Sequence, residues 1–265
     1  MRKYGVEVEF ISRISRPALC RKIKDETGIN VIEAGYSDRD TSSWRLKTDS
    51  SLSHGGLELV TPILNDMDDL QKLKSVIKVI ADNGRINASC GLHVHTDARN
   101  TETKQVKKLI KYISKYELAL NKLVSSSRRG ESRWCKDNFT RLRYSDETPT
   151  KFFKRLNTKN TRQLLEIADG GDRYVKWNFR NYMQHGSVEN RMHQGSLNAD
   201  KIEQWVLLNQ AIVNCAFDKR GTRVLTTQDW NTYKLKDMLT ELVGRGYLSL
   251  AQKSYFLTRA DELNR

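Results

Sequence analysis

The chain has 265 residues, 38% hydrophobic and 29% charged, a balance that excludes disordered and fibrous classes and suits a globular protein with a sizeable core. Lysine and arginine outnumber aspartate and glutamate 46 to 32, a formal charge of +14, which favours a polyanionic partner such as a nucleotide, a nucleic acid or an acidic polymer. No apolar run reaches the length of a membrane span, no signal peptide is visible, and Cys20, Cys90, Cys135 and Cys215 form no CxxC pair, so a cytoplasmic protein with reduced thiols is expected.

In chain order, Arg2 to Ser12 alternates as a strand and residues 16 to 27 form a short helix stopped by Gly28. Trp44 to Asp49 and Gly56 to Thr61 read as two strands around the polar turn Ser50 to Gly55. Pro62 ends the second strand, and a helix follows over 66–83, closed by Gly84. Ile86 to Thr96 is another strand. Val106, Leu109, Ile110, Ile113, Leu120 and Val124 recur at helical spacing over 101–124. The basic stretch Ser125 to Arg143 reads as a loop and 149–168 as one helix. Tyr174 to Tyr182 and Ser187 to His193 resemble a hairpin, and the chain from Ala199 onward is mostly helical. The class is α+β, with at least six strands.

Alternate residues of a strand share a face. In Gly5-Val6-Glu7-Val8-Glu9-Phe10, Glu7 and Glu9 therefore lie together, opposite Val6, Val8 and Phe10. Two adjacent carboxylates repel unless a cation such as Mg²⁺ holds them or the face is simply solvated. Glu58 stands alone among apolar neighbours in Gly56-Leu57-Glu58-Leu59-Val60 and needs a partner or an exposed edge; Asp49 is placed to reach the same region. His93 and His95 share a face in Gly91-Leu92-His93-Val94-His95, a spacing suited to metal ligands or to two hydrogen-bonded histidines. Glu189, Arg191 and His193 share a face of Ser187-Val188-Glu189-Asn190-Arg191-Met192-His193, where the arginine fork suits phosphate or an ion pair. Four strand segments thus each set acids or histidines on one face. Neither a Walker A pattern nor a GxSxG elbow is present.

Taken in order, GVEVEF at 5–10, Trp44 to Leu52, GLELVTP at 56–62, GLHVH at 91–95, Arg173 to Asn178, and Val188-Glu189-Asn190-Arg191 on to Ser196 resemble the amidoligase family. That family belongs to the glutamine synthetase-like carboxylate–amine ligases and is related to glutamate–cysteine ligases. The resemblance implies an antiparallel half-barrel with flanking helices that cups ATP and two or three Mg²⁺ ions. It implies Glu7, Glu9, Asp49, Glu58, His93 and Glu189 as metal ligands, Arg191 as the contact to the transferred phosphoryl group, and Lys47, Arg173 and Asn178 as nucleotide contacts. Asn190 departs from the aromatic or aliphatic residue usual before that arginine. The implied organisation is a catalytic domain over 1–218 with a helical extension, 219–265, packed on it. The implied reaction is ATP-dependent amide or isopeptide formation through an acyl phosphate, between small or macromolecular carboxylate and amine substrates.

Two rivals come from other classes. One is a metal-dependent hydrolase using His93 and His95, which would draw further ligands from His54, His185 and His193. The other is a nucleic-acid-binding protein using Arg128, Arg129, Arg133, Trp134, Lys136, Arg141 and Arg143. Acids outnumber imidazoles in the candidate site, which favours Mg²⁺ over Zn²⁺.

Overall fold

The structure, a computed structural model, describes residues 1–35, 37–38, 40–52, 55–130, 132–139, 147–218 and 229–265. Expectations for His54, Arg141 and Arg143 lie outside the described residues. The chain divides into two compact units, the first comprising Met1–Asp97 with His193–Leu207, the second Ala98–Met192 with Leu208–Arg265.

The first unit contains β1 (Tyr4–Ser12), α1 (Arg16–Thr27), β2 (Val31–Ala34), β3 (Trp44–Thr48), β4 (Leu57–Val60), α2 (Met67–Asn83), β5 (Gly84–Arg85) and β6 (Gly91–Asp97). Its strands run in the order β2-β3-β4-β1-β6, with β5 also pairing with the end of β1. Every pairing is antiparallel except β2 with β3, which is parallel. The sheet is therefore mostly antiparallel, as expected, with one short parallel edge that alternation over four residues does not announce. One sheet face is apolar and buried: Val6, Val8, Phe10, Leu46, Leu57, Leu59, Leu92 and Val94. The buried stripe of α2 (Leu70, Leu73, Val76, Ile77 and Ile80) and Leu19 and Ile23 of α1 complete this core, and α1 packs on α2 and β2. Fully burying one such side chain is worth about 1.5–3 kcal/mol. Helix α1 ends where Gly28 takes φ 73°, a left-handed turn that returns its N–H to the Lys24 carbonyl at 2.8 Å.

The second unit holds α3 (Thr103–Leu120), α4 (Pro149–Leu156), α5 (Thr161–Asp169), β7 (Trp177–Asn178), α6 (Arg180–His185), most of β8 (Ser187–Gln194), the later part of α7 (Ala199–Phe217), α8 (Leu235–Gly244) and α9 (Leu250–Leu263). Helix α3 packs on α4, α5 and α8, and α8 on α9. The single helix expected over 149–168 is two, because the Asn160 side chain accepts from Gln163 N–H and caps a new start. The strand expected from Tyr174 to Tyr182 is also corrected. Only Trp177 and Asn178 pair with β8, and Asn178 Oδ1 accepts from Arg180 N–H at 3.0 Å as the chain turns into α6. The strand expected from Ile86 starts at Gly91 instead.

A buried polar network ties α3 to β7. Glu117 accepts from the N–H groups of Asn138 and Phe139. Asn121 donates to both oxygens of Asp137, which also forms an ion pair with fully buried Lys176. Asn138 then binds Trp177 from both sides of its amide, donating to the Trp177 carbonyl and accepting its N–H, each at 2.8 Å.

Candidate metal site

The polar face of the first sheet carries the site. The register sets Glu7 opposite His93 and Glu58 between Glu9 on β1 and Lys47 on β3. Ligand atoms of Glu7, Glu58 and His93 lie within 4.8 Å of one another, as do those of Glu9, Asp49 and Glu58. Glu58 belongs to both groups. Asp49 sits just beyond β3, where its carboxylate accepts from Ser51 N–H at 2.7 Å and its N–H donates to the Gly56 carbonyl.

The electrostatics are uneven. Burial pushes the Glu58 carboxyl well above the usual glutamate range, and the negative charges of Glu7, Glu9 and Asp49 push it further. Burial also acts on Glu7, but His95 and His93 together outweigh it, by charge and hydrogen bonding, and hold its carboxyl well below that range. His93 Nδ1 is 3.1 Å and His95 Nε2 3.2 Å from Glu7. Glu9 is buried and accepts the Gly91 N–H at 2.5 Å. A Cβ at Gly91 would stand 2.9 Å from the His93 ring and 3.2 Å from Glu9, so a side chain there would have to displace a candidate ligand. Three carboxylates and an imidazole around the crowded acid Glu58 fit a hard divalent cation, which would relieve the repulsion and use the oxygen-rich donor set.

In the second unit, Glu189 is a buried carboxylate that accepts from Arg191 Nη1 at 2.5 Å and from the amides of Asn178 at 2.7 Å and Asn181 at 2.9 Å. Arg191 thus sits beside Glu189, as strand parity predicts.

A family model described as "Putative amidoligase enzyme" matches residues 1–213. The chain belongs to this amidoligase family. No curated protein matches it. A solved structure of a bifunctional glutathione synthetase from Pasteurella multocida aligns with 99% of the chain at 12% identity and a TM-score of 0.41, a likeness too slight to define the fold. The chain spans about half, 47%, of that protein.

Within this amidoligase-family chain, the structure brings Glu7, Glu9, Asp49, Glu58 and His93 together on one sheet face. The other predicted residues are differently engaged. Lys47 lies on the same face beside Glu58 but donates to the Asp38 carbonyl. Asn178 gives its amide to Glu189 and its oxygen to Arg180 N–H. Arg173 is exposed, its guanidinium over the Tyr174 ring. His193 is buried with its ring against Trp205, a packing role. Both ligand groups in the first unit are rich in carboxylates and hold at most one histidine, which is not the imidazole set of the hydrolase reading. In the basic stretch, Arg128 is buried and Arg129 donates to the carbonyls of Val124 and Leu263. Sequence reasoning missed the Gly91 N–H and Asn181. A backbone donor has no residue signature, and the only hint of Asn181 is its place three residues after Asn178, across a helix start.

Proposed function

We propose that this protein is an ATP- and Mg²⁺-dependent carboxylate–amine ligase that forms an amide bond through an acyl phosphate. The supporting observation is the convergence of Glu7, Glu9, Asp49, Glu58 and His93 on one face of the sheet, in a chain of the amidoligase family. The architecture this reading implies is the half-barrel of the glutamine synthetase-like ligases.

A carboxylate and an amine do not condense unaided, because the carboxylate carbon is a poor electrophile. In the proposed reaction a substrate carboxylate oxygen attacks the γ-phosphorus of ATP, and the bond to the β–γ bridging oxygen breaks to release ADP. The amine nitrogen then attacks the acyl carbon, the carbon–oxygen bond to phosphate breaks, and the nitrogen loses a proton. Glu7, Glu9, Asp49, Glu58 and His93 would hold the cations, with Glu189 assigned the same role by resemblance. A bound cation supplies charge neutralisation for phosphate oxygens. Arg191 would donate to the oxygens of the phosphoryl group in flight, where charge is spread most widely. Gly91 N–H and the two histidines keep Glu9 and Glu7 oriented. Lys47 and Arg173 remain candidate nucleotide contacts.

The test is to screen carboxylates and amines with Mg²⁺–ATP and identify the nucleotide released. ADP and phosphate should appear only when both substrates are present. Release of AMP and pyrophosphate would mean adenylation and reject the phosphoryl route.

A further inference from the structure

Glu189 is held by more than its charge requires. Arg191 already offers an ion pair to Oε1 at 2.5 Å. Two neutral amides nevertheless converge on the other oxygen: Asn178 Nδ2 at 2.7 Å and Asn181 Nδ2 at 2.9 Å from Oε2. They come from different elements, Asn178 from β7 and Asn181 from α6.

Both elements are pinned. The register sets Asn178 directly opposite Glu189, and Asn178 Oδ1 accepts from Arg180 N–H at the start of α6. At the other end of α6, Gly186 has φ 66°, and a Cβ there would stand 2.0 Å from Arg99 Cγ, so any other residue at this turn would be strained and would displace the Arg99 side chain. The Gly186 carbonyl accepts from Ala98 N–H at 2.7 Å, and the Tyr182 hydroxyl lies 2.8 Å from that of Thr101. A six-residue helix without buried side chains is thereby fixed at both ends, and Asn181 is its contribution to Glu189.

Amide donors orient a carboxylate without cancelling its charge, whereas a second cation would compete with a metal for it. Groups of this kind behind a ligand set its direction and basicity. We infer that Asn178 and Asn181 are positioning residues that aim the Glu189 carboxylate at a divalent cation. The inference rests on the proposed role of Glu189 as a metal ligand, and it gives Asn178 a task other than nucleotide contact.

The experiment titrates Mn²⁺, which accepts the oxygen ligands of Mg²⁺, into the full chain and reads free ion by electron paramagnetic resonance. Asn181→Ala is the main variant, because Asn178→Ala also removes the contact that starts α6. Asn181→Ala should weaken Mn²⁺ binding at one site by about 10–100-fold. In a Glu189→Gln background, where that site is already weakened, Asn181→Ala should add nothing. Melting temperatures on the same samples separate this from general damage, which would lower affinity by the same factor in both backgrounds and overturn the inference. Unchanged binding in Asn181→Ala, with weakened binding in Glu189→Gln, would overturn the inference alone. Unchanged binding in Glu189→Gln would overturn both it and the proposed role of Glu189.

Discussion

Glu58 has Glu9 opposite it on one neighbouring strand and Lys47 on the other, and its carboxyl is pushed well up by burial and by Glu7, Glu9 and Asp49. A carboxyl raised in the folded state holds its proton more tightly there than in the unfolded chain. Its contribution to stability is complete below the ordinary value of 4.5 and is lost as pH rises through the folded value. With chelator present, Glu58→Gln should therefore be the more stable protein above that pH, by up to about 4 °C in melting temperature. Added Mg²⁺ should stabilise the parent and do less for the variant. Parallel melting curves against pH for the two proteins would sink this account. Arg191 presents a different case, because lysine keeps its charge but loses its planar fork. Arg191→Lys should fold and bind Mg²⁺–ATP nearly as the parent does, while turnover falls by about 10²-fold. If only melting temperature changes and turnover does not, Arg191 is an ion-pair partner of Glu189 and nothing more.

Among the elements, β7 is flanked by buried charge. Lys176 is fully buried against Asp137, which Asn121 also binds, so removing one partner strands the other charge. Asp137→Ala should cost about 3–5 kcal/mol in denaturant unfolding, and pairing Asp137→Leu with Lys176→Met should recover much of it. A loss below about 1 kcal/mol for the single variant would show that water reaches Lys176. None of this network is visible in the sequence, where Lys176 and Asp137 look like two of many surface charges. What was legible follows local rules. Strand β1 and its Glu7–Glu9 face follow from period two, and α2 follows from Asp66 at its start and the spacing of its buried leucines and isoleucines. Strand β2 was missed because four residues carry too little pattern. Tyr174 to Tyr182 misled because its aromatic residues suit a strand, while the hydrogen bonds of Asn178 turn the chain into a helix. The grouping of acids on single faces could be read within each strand; the sharing of Glu58 by two ligand groups depends on register between strands.

At the scale of the whole molecule, the chain carries a formal excess of +14. Part of it stands on exposed side chains without a described carboxylate partner: the guanidinium groups of Arg133 and Arg173 lie over the rings of Trp134 and Tyr174, which pack edge to face. Such charge raises the local concentration of an anionic substrate and speeds its arrival. The field is screened by salt, because the Debye length shrinks from about 30 Å at about 0.01 M to about 8 Å at about 0.15 M ionic strength. A proposed carboxylate or amine substrate with net negative charge should therefore show a KM that rises several-fold over that range, with kcat nearly constant. ATP must be saturating throughout, since it is itself an anion and its own binding weakens with salt. Arg133→Ala, which removes an exposed guanidinium that the proposed site does not use, should reduce the dependence without lowering kcat. A small dianion predicts a shallow slope, whereas a nucleic acid predicts a steep logarithmic one that grows with each phosphate neutralised. A KM that stays flat across the range would mean that the positive surface plays no part in substrate capture.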